Sequence, residues 1–254
     1  MQSVTLYRYW QFGTGYRYLQ DAKSGYSIHG PGLIVENIKS LFEKLEELDL
    51  RVTIRAAYDL RAQLKEFETL PQDSKLTASQ ASTLNTIVKA LRQTLQAELM
   101  GANAYVISPK RIDTEKLIGD VSSLLSPGVF DSLSESAKLD LMEAGKCIAF
   151  ERSTAAAFHL MRATEEALRV YYCHFIRKDR LSPMLWGPMV QSLQKHRKAK
   201  VNDTLHKNLD NIRLSFRNPT QHPDKVYDIH VVQDLWALSV DVISRIDRAI
   251  KAYK

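Results

Sequence analysis

The residues best equipped for chemistry in this 254-residue chain lie in one short stretch, Arg213-Leu214-Ser215-Phe216-Arg217-Asn218-Pro219-Thr220-Gln221-His222. Cleavage of an RNA backbone asks for three things. One group must take the 2′-hydroxyl proton, another must protonate the leaving oxygen, and positive charge must meet the phosphorane-like transition state. Histidine serves as acid or base near neutral pH. A guanidinium holds two phosphoryl oxygens in a fork and keeps its proton. In that division of labour Arg217 stabilises phosphate charge, His222 moves protons and Asn218 orients them, with no metal and no other cofactor. An Arg and a His five residues apart occur by chance in many chains, so the pair takes its meaning from the elements that position it.

Pro219 disfavours helical backbone at Asn218, which predicts a helix from about Asp203 that ends near Arg217. On an unbroken helix a five-residue step turns about 140°, pointing Arg217 and His222 apart. A break at Pro219 removes that restriction. The two side chains can then meet either within one subunit or across a symmetric interface between two copies.

Charge is concentrated upstream of the same motif. Residues 1–110 carry 13 basic and 11 acidic side chains, residues 111–142 carry 3 and 6, and residues 143–254 carry 19 and 12. Within the last part, Arg177–Arg217 holds ten basic and three acidic residues, so its net +7 accounts for the whole excess of residues 143–254. Lys195, Arg197, Lys198 and Lys200, with Arg213, form the candidate strip for an RNA backbone. A solvated helix end and loop is the plain alternative.

Other chemistries find little support. No Gly-rich phosphate loop and no GxSxG elbow is present. His159 precedes the Glu165-Glu166 pair, but no third ligand follows at a metal-type spacing. Two cysteines, Cys147 and Cys173, build neither a disulfide framework nor a four-Cys zinc site, and a reducing, cytoplasmic setting is expected. No apolar run approaches the ~20 residues of a membrane helix, and the start MQSVTLYRYWQF lacks the pattern of a secretory signal.

The chain reads as mainly α, in two domains. The first, 1–133, opens with YRYWQF-GTG-YRYLQ, aromatic segments on both sides of a Gly-containing loop, which predicts a β-hairpin. AYVIS (Ala104–Ser108) is the candidate third strand of a small sheet. Stacking of nucleic-acid bases on these aromatics is one use for them, and packing on the protein body is the plainer one. Helices are predicted from Leu33, over Val52–Leu70, and from Thr77, where Thr77-x-x-Gln80 has the capping-box pattern. Short helical pieces punctuated by Ser126-Pro127-Gly128 lead to the second domain, 134–254. It reads as a bundle of about five helices, with Ser153 as an N-cap and Asp228 capping the last helix.

The R-N-x-x-x-H pattern of Arg217, Asn218 and His222 follows SFRN and precedes a long closing helix. Together with the upstream CIAFERSTAAAFHLMRATEEALRVYY, this part of the chain resembles the HEPN superfamily over roughly Ser134–Lys254. The resemblance implies an all-α bundle that dimerises with its motifs at the interface. It also implies a metal-independent endoribonuclease leaving 2′,3′-cyclic phosphate ends, of the kind found among toxins and antiviral or abortive-infection effectors. Arg217 and His222 match the ends of the family motif, Asn218 its common second residue, and Glu165 and Glu166 its upstream acidic position. Implied partners are RNA, a second copy of the chain, and an antitoxin or regulatory protein. Paired toxins of this family commonly carry a Tyr two residues after the motif His; here position 224 is Asp and the nearest Tyr is Tyr227. A non-catalytic module of the same fold, binding nucleic acid or a partner protein, is the alternative.

Overall fold

A computed structural model describes residues 5–176, 183–196, 199, 203–220 and 225–253. The described residues are mainly helical and divide into two compact units, Met1–Tyr105 and Val106–Lys254. The division falls earlier than the boundary expected at residue 133. Leu117, Val121, Leu125 and Val129, on the short elements between, are buried in the core of the second unit. Gly145 shows why they belong there. A β-carbon at this position would run into the Leu117 carbonyl oxygen and the Val121 side chain, so a glycine lets helix Thr114–Gly119 lie directly on helix Glu135–Ala149.

The first unit is built from α1 (Leu6–Gln20), α2 (Ile34–Glu47), α3 (Arg51–Ala56), α4 (Tyr58–Glu68) and α5 (Ala78–Gly101). The hairpin expected over the first 20 residues is instead α1. Its Phe12 and Tyr16 are half-buried and Leu19 is fully buried, a helical spacing that puts one face on the core, with the Tyr16 hydroxyl donating to the Val88 carbonyl at 2.6 Å. Strand propensity of single aromatics yields to that burial. Gly15 has a structural part in it, since a side chain there would collide with the Asn37 amide oxygen of α2. AYVIS forms no strand either: Tyr105 and Val106 are over 90% exposed at the division between units. The sheet-like pairing among the described residues is a single antiparallel bridge between Ser27 and Lys75. The run expected over Val52–Leu70 breaks at Ala57 into α3 and α4. The capping box at Thr77 is formed, with Thr77 Oγ1 accepting from Gln80 N–H and the Gln80 side chain accepting from Thr77 N–H.

The second unit contains α6 (Thr114–Gly119), a 3₁₀ turn (Val121–Leu124), α7 (Val129–Ser132), α8 (Glu135–Ala149), α9 (Ser153–Phe175), α10 (Trp186–Lys195), α11 (Asp203–Ile212), a π-helical turn (Arg213–Arg217), α12 (Asn218–Thr220) and α13 (Ile229–Ala252). Ser153 opens α9 as its first residue rather than capping it; Arg152 holds the cap position. The small residues Ala156, Ala157, Ala163 and Ala167 are buried along α9, which lets α8 and α13 close on it. Asp228 caps α13 by accepting from the His230 and Val231 N–H groups.

Gly145→Ala adds one methyl group against backbone and should lower stability by about 1–3 kcal/mol, despite alanine's better helix propensity. A lowered urea midpoint with unchanged slope is the expected reading. His206 of α11 is 1% exposed, and burial pushes its imidazole below the usual value against the opposing pull of Asp203 and Asp210. The unfolded chain therefore binds a proton that the folded chain resists. Stability should fall as pH drops through the unfolded value of about 6.5 and go on falling until the depressed folded value is passed. His206→Gln should flatten the change in urea midpoint between pH 7.5 and 5.5; an equal change in both proteins would count against it.

Candidate functional site

Asn218 has φ −65° and ψ −49°, so the helix does not end at Arg217 as the proline had implied but runs on to Thr220. The π-helical turn resolves the conflict. Pro219 lacks an N–H, and in a regular α-helix its ring would press on the carbonyl four residues earlier. Widening the ladder by one residue, with the Asn218 N–H reaching the Arg213 carbonyl, relieves that clash.

Side chains also reach back to the Phe216 carbonyl. Two hydroxyls do so: Thr220 Oγ1 donates to it at 2.6 Å and Tyr227 OH at 3.0 Å, while the two hydroxyl oxygens lie 2.7 Å apart. Tyr227 is buried, lies near-parallel to the Phe216 ring, and gives its backbone N–H to Thr154 Oγ1 at 3.2 Å. The residue noted in the sequence only for standing in the wrong place is thus the anchor of the segment returning from the motif.

Arg217 is half-buried and pairs with Glu165 of α9, Nη2 to Oε2 at 3.6 Å. The other oxygen of Glu165 takes Arg169 at 2.9 Å. Between the two acidic candidates, Glu165 therefore faces the motif, and Glu166 turns toward Arg169 at 3.9 Å. Asn218 is exposed. Arg213 is held one turn back by Asp210 at 3.0 Å, and Lys195 is exposed at the end of α10. His222, Arg197, Lys198 and Lys200 lie outside the described residues.

Beside this pairing is a polar hollow of about 360 Å³ lined by Ser136, Asp140, Arg162, Glu165, Glu166 and Arg169. Its α9 residues are spaced 162, 165, 166, 169, one helix face. There Asp140 is 7% exposed and pairs with Arg162, Nε to Oδ2 at 3.1 Å, with His159 Nδ1 2.8 Å from its other oxygen. Arg162, Arg169 and Asp140 had not been singled out, although the one-face spacing on α9 was available as a signal. His159 has Asp140 as its partner, and among the described residues no three His, Cys, Asp or Glu side chains gather as a metal ion would need.

No family model, no characterised protein and no solved structure matches the chain. Among the described residues no helix is long and apolar enough to cross a membrane.

The two hydroxyls on the Phe216 carbonyl give a direct test of how the motif is held. Tyr227→Phe keeps the ring and removes one donor, and should cost about 1 kcal/mol, because Thr220 still serves the carbonyl. Combining it with Thr220→Val removes both hydroxyl donors and should cost more than the sum of the single changes, read from urea midpoints in a double-mutant cycle.

Proposed function

We propose that the chain is a metal-independent endoribonuclease, HEPN-like in its second unit and active as a dimer. The observation that supports this reading best is the Glu165–Arg217 pair. An acidic residue singled out upstream, far away in sequence, meets the arginine of the R-N-x-x-x-H motif. The buried Tyr227 fixes the chain just beyond the residues that carry His222.

In this reading a phosphate of the RNA takes the Arg217 fork, and Asn218 orients the reacting groups. His222 of one copy accepts the proton of the 2′-hydroxyl as the 2′-oxygen bonds to phosphorus. The bond from phosphorus to the 5′-oxygen breaks, and that oxygen takes a proton from His222 of the second copy. The products are a 2′,3′-cyclic phosphate and a 5′-hydroxyl. Lys195, Arg197, Lys198, Lys200 and Arg213 guide the backbone. Glu165 holds the guanidinium in place between turnovers and competes with phosphate for it. RNA is the substrate, and a toxin or antiviral role, with an antitoxin or regulator as partner, is where such an activity would belong.

Purified protein should cut RNA in the presence of EDTA and leave cyclic phosphate ends. Arg217→Ala and His222→Ala should each lower cleavage by about 100-fold or more while the protein stays folded, since each removes a group acting on the transition state. Glu165→Gln, which removes a competing charge, should tighten RNA binding several-fold and slow cleavage. Undiminished cutting by both Arg217→Ala and His222→Ala would overturn the assignment. RNA retained without any cleavage would leave the non-catalytic binding module.

A further inference from the structure

A second hollow lies in the first unit, well apart in sequence from the motif. It is an open groove of about 510 Å³ between α1 and α2. Its α1 wall presents Tyr7 and Trp10, which are 60% and 62% exposed and stack on each other with ring centroids 5.5 Å apart. A ring pair left in water at this cost of apolar exposure is the mark of a contact surface rather than of a core.

The wall facing these rings decides what the surface would take. α2 contributes Glu36 and Glu43, one helix face seven residues apart. Glu36 accepts the Gly32 N–H, and Glu43 is exposed with no cation paired to it among the described residues. Two cations also line the groove. Lys44 is buried and its hydrogen bond to Glu47 chiefly holds that carboxyl below its usual value, while Arg8 is exposed, without an ion pair among the described residues, and adds its positive charge to the same effect. What stays open is an aromatic platform opposed by carboxylate. With Glu47 beside Lys44 counted, three carboxylates meet two cations here, so the balance of charge favours a cation over the phosphates of a nucleic-acid strand. A cation is drawn both by the ring faces and by Glu43.

We propose that the α1–α2 groove binds an arginine-bearing segment of a partner protein, its guanidinium stacked on the Trp10–Tyr7 pair and forked onto the Glu43 carboxylate. Arginine suits the groove better than lysine because its planar group can stack and form two parallel hydrogen bonds at once.

Trp10 is its own reporter, because Trp186 and Trp236 are 2% and 3% exposed. Titrating the full chain with a synthetic Arg-Gly repeat peptide should change tryptophan emission in a saturable way, and a Glu-Gly repeat of equal length should not. Glu43→Gln should weaken the Arg-Gly peptide by about tenfold, the loss of one charge-assisted fork. Trp10→Ala should weaken it comparably, measured by anisotropy of labelled peptide. Both positions are exposed, so the variants keep the fold. No saturable response to the Arg-Gly peptide overturns the proposal, as does an affinity that neither substitution changes. Saturation by oligouridylate that Glu43→Gln strengthens would also overturn it, and would make the rings a base-stacking platform instead.

Discussion

A proline has no hydrogen to give, and the second unit is arranged around that fact at Pro219. A helix that ran regularly through this residue would crowd its ring and leave carbonyls without donors. The π-helical turn at Arg213–Arg217 moves the ladder out of the way, and beside it Thr220 and Tyr227 donate to the Phe216 carbonyl. Because the register shifts by one residue, the side chains at the end of the turn are aimed differently from those of an ordinary helix. Arg217 is delivered toward α9, where Glu165 meets it. Pro219, the widened turn, the two hydroxyls and the Arg217 pairing are one connected arrangement.

Charge in this unit is more balanced locally than a count along the chain indicates. Lys207 is paired with Asp203 and Arg213 with Asp210, each within one helical turn. Arg162, Arg169 and Arg217 are each held by a carboxylate of α8 or α9. Exposed pairs of this kind add little to stability, typically under about 1 kcal/mol each. Their effect is on position. A guanidinium held by a carboxylate at the mouth of a hollow has its direction fixed by that carboxylate.

Much of this was legible in the residues. The long helices announced themselves by apolar spacing, and Thr77 and Asp228 by their capping chemistry. The acidic position upstream could be named, but the choice between Glu165 and Glu166 could not, because neighbours on a helix differ by 100° and only the packing of α9 fixes which one faces the motif. α1 was misread for a reason of the same type. Its aromatics and glycines favour a hairpin locally, and only burial of Phe12, Tyr16 and Leu19 against partners distant in sequence makes it a helix. At Pro219 the local rule was sound, but it assumed an α-helical ladder; the π-helical turn evades it. The first boundary was placed at a visible Ser-Pro-Gly punctuation, whereas the division of the chain follows buried contacts that no punctuation marks.

Gly145 also bears on where the second unit could be cut from the chain. By holding α6 against α8 through backbone contact, it makes residues 106–133 part of the same packed unit. A gene segment encoding only the helices from Glu135 onward would transmit the motif without the layer that covers Leu141, Ala144 and Ile148. Exchange of this unit between proteins by recombination would preserve it only when the crossover falls upstream of the α6 codons. The exposed stretch around Tyr105 and Val106 is the place where such a joint disturbs neither core.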